Sequence, residues 1–250
     1  MVVFGPVPSR RLGRSLGINN IPAKSCSYSC VYCQLGLTRG KTIKRTSFYD
    51  PKEILEAARR QLASVASDDG PVDYVTFVPD GEPSLDINLR TEISLLRDLG
   101  IPIAIISNAS LIWDEEVRQA FMEADLVSLK VDAVSEDIWK RVDRPHGRLE
   151  LERILEGIVQ FAGEFSGDLI TETMLLSGID YEEEIGRIAD FLSQIPLKEA
   201  YLAVPTRPPC EEWVEPADED LLNRAFQEYA STLGGDRVEL LIGYEGDAFS

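Results

Sequence analysis

Short apolar segments alternate with amphipathic segments along most of the chain, and this alternation constrains the fold more than any other feature. The apolar segments are rich in Val, Ile and Leu and mostly lack polar alternation, as expected of parallel strands buried on both faces. We predict strands at Leu16–Asn19, Val72–Val78, Ile103–Ser107, Leu126–Val131, Leu169–Leu176 and Ala200–Val204, with a possible seventh at Val238–Ile242.

Helical patterns with recognisable ends lie between these segments. Asp50-Pro51 begins one, Asp114 caps a second, and a third covers Tyr181–Gln194 before Pro196. This order predicts a parallel sheet with right-handed crossovers. Six such units form an incomplete (β/α)6 barrel of the α/β class.

We expect one domain over residues 1–250, a usual length for a single α/β barrel. Residues 1–20 would form a basic N-terminal segment and the first strand, and 236–250 a possible extra strand.

The chain is acidic, with a formal net charge of −18, but its first 50 residues carry eight Lys/Arg and one acidic residue. The acidic bulk argues against general nucleic-acid binding, because phosphate contacts need a basic surface. The basic segment is either a solvated surface or a site for an anionic group. We find no apolar stretch of transmembrane length and no secretory signal, so we expect a cytoplasmic protein without membrane contact.

Three of the four cysteines, Cys26, Cys30 and Cys33, fall within eight residues directly after the first predicted strand. Such clustering in a cytosolic protein indicates a metal before a disulfide. Thiolates suit iron–sulfur clusters, zinc or copper(I), and three can hold three irons of a cubane while the fourth stays open. A closed zinc site would need Cys210 or His146 as its fourth ligand.

Polar residues follow the predicted strands, where parallel α/β folds bind their ligands. After the second and third strands these are Asp80, Gly81, Glu82, Pro83, Ser107 and Asn108. The fourth strand carries Lys130 and Asp132 on one side, and the fifth offers Glu172 and Thr173. Because unpaired buried charge is costly, Lys130 and Asp132 either pair with each other or serve a ligand.

Two loop arginines are candidate substrate contacts. Arg144 lies after the fourth strand and could clamp a carboxylate with two hydrogen bonds. Arg207 lies in a loop stiffened by prolines after the sixth strand. His146 and Cys210 serve either the site or ordinary packing.

The cysteine run, with Tyr32 directly before its last cysteine, resembles the signature of the radical SAM superfamily. Gly81-Glu82-Pro83 is similar to its second motif, usually Gly-Gly-Glu, with Asp80 in place of the first glycine. The resemblance implies a [4Fe–4S] cluster on Cys26, Cys30 and Cys33, whose open iron chelates S-adenosylmethionine. It also implies an electron donor such as flavodoxin or ferredoxin, and cleavage of S-adenosylmethionine to a 5′-deoxyadenosyl radical that abstracts hydrogen from a substrate.

The resemblance further assigns cofactor contacts. Tyr32 would lie near the adenine, and Glu82 and the backbone around it would accept hydrogen bonds from the methionyl ammonium. The position of Asp132 near the mouth of the barrel favours it as a ribose contact. The full set is Tyr32, Asp80, Gly81, Glu82, Pro83, Ser107, Asn108, Asp132 and Thr173.

The segment Gly5–Gly13 and Arg207-Pro208-Pro209 are similar to one subgroup, the Fe–S oxidoreductases related to wyosine-base tRNA synthases. Those synthases carry extra cysteines upstream, and none precedes Cys26, so a role in tRNA modification is weakened by the missing cysteines and by the acidic bulk, while the basic first 50 residues keep it open. The substrate is RNA, a protein or a small molecule. Members of the subgroup tend to continue past Gly243–Gly246, so we expect that the end at Ser250 marks a short form or a truncation.

Two other functions remain open. A glycyl-radical activating enzyme would use the same cluster on a protein substrate. A non-enzymatic zinc- or cluster-binding sensor would need no adenosyl pocket, and the polar residues at successive strand ends argue against it.

Overall fold

The computed structural model describes residues 1–65 and 70–243. Its eight strands form one sheet in sequential order. The strands are β1 Val3–Ser9, β2 Gly13–Ile18, β3 Tyr74–Phe77, β4 Ile103–Ser107, β5 Leu126–Lys130, β6 Asp168–Met174, β7 Glu199–Ala203 and β8 Val238–Leu241. The α-helices are α1 Pro51–Ser64, α2 Leu89–Leu96, α3 Glu115–Phe121, α4 Glu136–Val142, α5 Leu151–Glu164, α6 Glu184–Leu192 and α7 Glu219–Leu233.

The predicted α/β class and its parallel strands are confirmed, since every neighbouring pair from β2 to β8 is parallel. The possible seventh strand is present as β8, while the 244–250 part of the predicted C-terminal segment lies outside the described residues. Asp50 caps α1 by accepting from the Lys52 amide, and Asp114 caps α3 by accepting from the Glu116 amide, as predicted. Helix α6 is shorter than the pattern Tyr181–Gln194.

Strand β1 is an antiparallel edge strand that the sequence analysis missed. Pro6 and Pro8 argue against a strand, but an edge strand tolerates proline because one row of its amides has no partner. The ring of Phe4 covers β2 so closely that a Cβ at position 17 would lie 2.2 Å from a ring atom. Gly17 therefore allows the hairpin to pack.

The turn Ser9–Leu12 between β1 and β2 reaches across to the far edge of the sheet. Leu12 packs into a small apolar cluster with Leu126 and Ile170, inside the barrel. The Arg10 Nη1 donates to the carbonyl oxygen of Ile242, directly after β8, at 2.9 Å. The hairpin turn thus bridges the two edges of the incomplete barrel.

The main apolar core lies between the sheet and its helices. Its largest fully buried side chains are Tyr181, Tyr229, Phe77, Phe121 and Phe161. Within the ranges described, no helix combines the length and apolar character needed to cross a membrane.

Candidate functional site

A cavity of about 480 Å³ opens where the parallel strands end, and all three clustered cysteines line it. The loop after β2 supplies Cys26, Cys30 and Cys33. Gly81, after β3, and Asn108, after β4, line the same cavity. The fold therefore brings together three segments that are far apart in the sequence.

Two backbone hydrogen bonds hold the cysteine loop against the segment after β3. The Lys24 amide donates to the Asp80 carbonyl oxygen at 2.6 Å, and the Glu82 amide donates to the Ser25 carbonyl oxygen at 2.9 Å. A Cβ at position 81 would lie 2.0 Å from that Ser25 oxygen. Glycine is required there because the two chains approach so closely.

Polar groups surround the three sulfur atoms. The Lys24 Nζ lies 3.4 Å from the Cys33 Sγ, and the Asn108 Nδ2 lies 3.5 Å from the Cys26 Sγ. Both are donors, which suits thiolate ligands. The Cys30 thiol donates to Asp143 Oδ1 at 3.3 Å.

Burial raises the pKa of the Cys26 thiol to about 12, and it raises the pKa of Cys30 as well. Without a metal these thiols stay protonated at neutral pH, and binding of iron would release their protons. The three soft sulfur donors thus fit an iron–sulfur cluster.

A single-ion site is not formed in the described parts of the chain, where no three His, Cys, Asp or Glu side chains converge to hold one metal. His146 instead accepts a hydrogen bond from the Arg148 amide at its Nδ1, and Cys210 is a partly exposed free thiol. The closed zinc site with either residue as fourth ligand therefore has no structural support. A cubane has no need of such convergence, because each thiolate binds a different iron.

Most of the predicted contact residues line the cavity. They are Tyr32, Asp80, Gly81, Glu82, Ser107, Asn108 and Arg207. Glu82 is only 1% exposed, and its carboxylate accepts hydrogen bonds from the hydroxyls of Ser84 and Ser107 and from the Asn108 amide. Burial raises its pKa, although these bonds oppose the shift. Glu82 thereby ties the ends of β3 and β4 together.

Thr173 does not face the cavity, contrary to the prediction. Side chains alternate along a strand, so its neighbours Glu172 and Met174 line the cavity instead. The Thr173 hydroxyl lies 2.7 Å from the Val131 carbonyl oxygen and 2.9 Å from the hydroxyl of Tyr229, on the helix side of the sheet.

Arg144 and Pro83 also lie off the cavity wall. Arg144 adopts a left-handed backbone with φ 46° and pairs with Glu211, so the structure does not place it where it could clamp a ligand. Pro83 is buried, and its carbonyl oxygen accepts from Asn20 Nδ2.

Asp132 is buried beneath Tyr32, whose hydroxyl donates to it. It also accepts from the Met174 amide at 2.8 Å, and the Lys130 Nζ lies 3.3 Å from the same carboxyl oxygen. The predicted pairing of Lys130 with Asp132 is present, whereas the described cavity wall does not include Asp132. Burial and the Asp132 carboxylate also raise the pKa of Asp143.

Arg11 is a cavity residue that sequence reasoning missed. It pairs with Glu172, whose other oxygen accepts from Lys130 Nζ at 2.9 Å. Burial favours the neutral acid, but the two cations overcome it and lower the pKa of Glu172 to about 2. The adjacent arginines at positions 10 and 11 were visible in the sequence, but without β1 nothing placed them in the barrel.

The family model described as the Radical SAM superfamily matches residues 20–192. The chain belongs to the radical SAM superfamily. Among curated relatives, a UPF0026 protein of Methanocaldococcus jannaschii is 48% identical over 249 residues, which is 99% of this chain and 77% of that protein. The resemblance stated from the cysteine run is therefore confirmed.

Two solved structures share the fold at low identity. SuiB of Streptococcus suis bound to S-adenosylmethionine matches with a TM-score of 0.65 and 16% identity, over 92% of this chain and 51% of that chain. TYW1 with a lysine–pyruvate adduct bound also matches with a TM-score of 0.65 and 16% identity, over 87% of this chain and 73% of that chain. The chain thus spans about half the length of SuiB.

Membership makes this chain an enzyme of the radical SAM class. The cofactors of that class are a [4Fe–4S] cluster and S-adenosylmethionine.

Proposed function

We propose that this chain cleaves S-adenosylmethionine reductively and uses the resulting 5′-deoxyadenosyl radical to abstract hydrogen from a substrate. The observation that carries the proposal is that Cys26, Cys30 and Cys33 line one cavity together with the residues at the ends of β3 and β4. A soluble one-electron donor, such as flavodoxin or ferredoxin, would supply the electron.

Cys26, Cys30 and Cys33 would hold the cluster, with Lys24 and Asn108 donating hydrogen bonds toward its sulfur ligands. When bound, the cluster and S-adenosylmethionine supply one-electron cleavage of the sulfonium and the radical that abstracts hydrogen. Donors to the thiolates stabilise their negative charge, which raises the reduction potential of an iron–sulfur centre.

The S-adenosylmethionine contacts would come from Tyr32, Asp80, Gly81, Glu82, Ser107 and Asn108, which already share the wall with the cysteines. Gly81 lines the cavity, and its lack of a side chain lets the Ser25 carbonyl oxygen approach, so the cysteine loop packs directly against this segment. Glu82 and Ser107 hold these backbone segments in place through their mutual hydrogen bond of 2.8 Å. Asp132 supports the position of Tyr32 from below.

Lys130 acts as a cation and not as a nucleophile. The solved TYW1 structure contains a lysine–pyruvate adduct. A lysine amine must be neutral to attack a carbonyl group and form an imine. Burial here favours the neutral amine, yet Asp132 and Glu172 overcome it and hold the pKa of Lys130 above its ordinary value. An imine at Lys130 is therefore not part of the proposal, and the substrate stays open between RNA, protein and small molecule.

The test is anaerobic reconstitution followed by counting of iron and sulfide and by EPR of the reduced protein with and without S-adenosylmethionine. We expect about four irons per chain and a spectrum that changes when S-adenosylmethionine is added. Cys26→Ala, Cys30→Ala and Cys33→Ala should each lose this response. Cys210→Ala is the matched control and should keep it, because the proposal gives that thiol no iron.

Bound zinc with no response to S-adenosylmethionine would instead favour the sensor and remove the enzymatic proposal. A glycyl-radical activating enzyme would give the same spectrum. It is distinguished by the appearance of a glycyl radical on a partner protein.

A further inference from the structure

The hairpin turn Ser9–Leu12 lines the same cavity as the three cysteines. Leu12 packs there against apolar residues inside the barrel. The cavity therefore extends from the loop that carries the cysteines to a wall formed by the turn. Lys130 Nζ lies 4.8 Å from the centre of the Tyr32 ring, so a molecule bound at Lys130 would lie beside the proposed cofactor contacts.

The charge of this cavity is opposite to that of the chain. Its lining includes Arg10, Arg11, Lys24, Lys130 and Arg207, against three acidic residues. The chain as a whole has a formal net charge of −18. A cationic cavity in an acidic protein attracts and retains anions, because the low-dielectric walls focus the local field.

Two of these cations already hold a carboxylate. One carboxylate oxygen of Glu172 accepts a hydrogen bond from Lys130 Nζ at 2.9 Å, and the other forms an ion pair with Arg11. The side chains of Arg11 and Lys130 are each 16% exposed and that of Glu172 is 13% exposed, so a ligand can reach the group while bulk water screens it little. Lys130 also contacts Asp132, so Arg11 and Lys130 are paired with two carboxylates and an incoming anion would compete with Glu172 for them.

We propose that Arg11 and Lys130 form a subsite for the carboxylate or phosphate group of a small acidic substrate, in a cavity that Arg10 and Arg207 also line. This inference rests on the proposed radical function, since the molecule bound there would be the one that loses hydrogen. A small molecule is favoured because the cavity measures about 480 Å³ in all, and the cluster and S-adenosylmethionine would share that volume. Glu172 occupies both cations until the anion displaces it.

The experiment is anaerobic calorimetric titration of the cluster- and S-adenosylmethionine-loaded protein with inorganic phosphate and, separately, with malonate. Arg11→Gln should weaken binding of the preferred anion by about tenfold or more, since one charge-assisted pair is lost. Glu172→Gln should tighten it, because it removes the carboxylate that competes for both cations. Arg60→Gln removes an exposed charge from α1, outside the cavity lining, and should leave the affinity unchanged.

These opposite effects separate a ligand site from a structural ion pair. Stronger binding of phosphate than of malonate would identify a phosphate-bearing substrate, and the reverse a carboxylate. The proposal is overturned if wild type binds neither anion, if Arg11→Gln and Glu172→Gln match Arg60→Gln, or if excess S-adenosylmethionine displaces the anion.

The EPR response to S-adenosylmethionine, recorded on each variant, shows whether the cofactor site is intact. Loss of that response in the wild type would contradict the proposed function. A wild-type protein that keeps the EPR response to S-adenosylmethionine but binds neither anion would contradict only the proposed anion subsite.

Discussion

Replacing Gly81 by alanine should detach the cysteine loop from the segment after β3. The new Cβ would lie 2.0 Å from the Ser25 carbonyl oxygen and 2.9 Å from the Ile21 Cδ1. To reach 3.0 Å the Ser25 carbonyl would have to retreat by about 1 Å, and the Glu82 amide would lose its acceptor. Overpacking costs roughly 1–3 kcal/mol and the lost hydrogen bond about 0.5–1.5 kcal/mol, so we expect a loss of about 1.5–4.5 kcal/mol.

The functional effect should exceed the loss of stability. Ser25 directly precedes Cys26, and metal–ligand distances tolerate deviations of only about 0.2 Å. A shift of about 1 Å in the loop should therefore lower the iron content after reconstitution while the barrel remains folded.

Iron per chain and the midpoint of urea unfolding measure the two effects. Gly163→Ala is the control, because this residue of α5 has no atom within 4 Å of its added Cβ and alanine favours a helix. It should stabilise the protein by about 0.5–1 kcal/mol and leave the iron content unchanged. A Gly81→Ala protein that binds iron as wild type does would refute the steric argument.

Two further variants test side chains away from the cavity wall. Burial and the neighbouring Asp86 carboxylate raise the pKa of Glu92 to about 9, so the protonated acid stabilises the fold at low pH and this contribution is lost as pH rises through about 9. Between pH 5 and 9 the free energy of unfolding of the wild type should therefore fall with pH more steeply than that of Glu92→Gln, by about 1.4 kcal/mol per pH unit. Urea unfolding at a series of pH values measures both slopes, and equal slopes would contradict the prediction. Thr173→Val should cost about 1 kcal/mol because the Tyr229 hydroxyl loses its partner, yet the EPR response to S-adenosylmethionine should be unchanged. Loss of the EPR response to S-adenosylmethionine in Thr173→Val would instead show that Thr173 belongs to the cofactor site.

The parallel strands and the cysteine loop could be predicted because each depends on local sequence. Continuous apolar runs indicate strands buried on both faces, and the spacing of Cys26, Cys30 and Cys33 depends on the chemistry of one loop. The same reasoning found Gly81 and Asn108, because parallel strands bring their carboxyl ends to one edge of the sheet.

The rest depends on which way side chains point and on contacts between distant segments. Thr173 and Glu172 are neighbours in the sequence, and only the register of β6 decides which one faces the cavity. Arg11 and Glu172 are 161 positions apart in the sequence. Arg11 lies in the turn that follows β1, and the prolines of β1 argue against a strand, so the sequence did not predict the hairpin. No periodic pattern carries that information.

The most direct test of the account is the fate of S-adenosylmethionine on the reduced, reconstituted protein. Liquid chromatography with mass spectrometry would follow 5′-deoxyadenosine and methionine after addition of a one-electron reductant. We predict that 5′-deoxyadenosine and methionine form in a one-to-one ratio in wild type and in Cys210→Ala, and that neither product forms in Cys30→Ala. Two results would contradict cleavage of S-adenosylmethionine by the cluster on the three cysteines. One is product formation by Cys30→Ala at the wild-type level, and the other is no product from a wild-type protein with a full complement of iron.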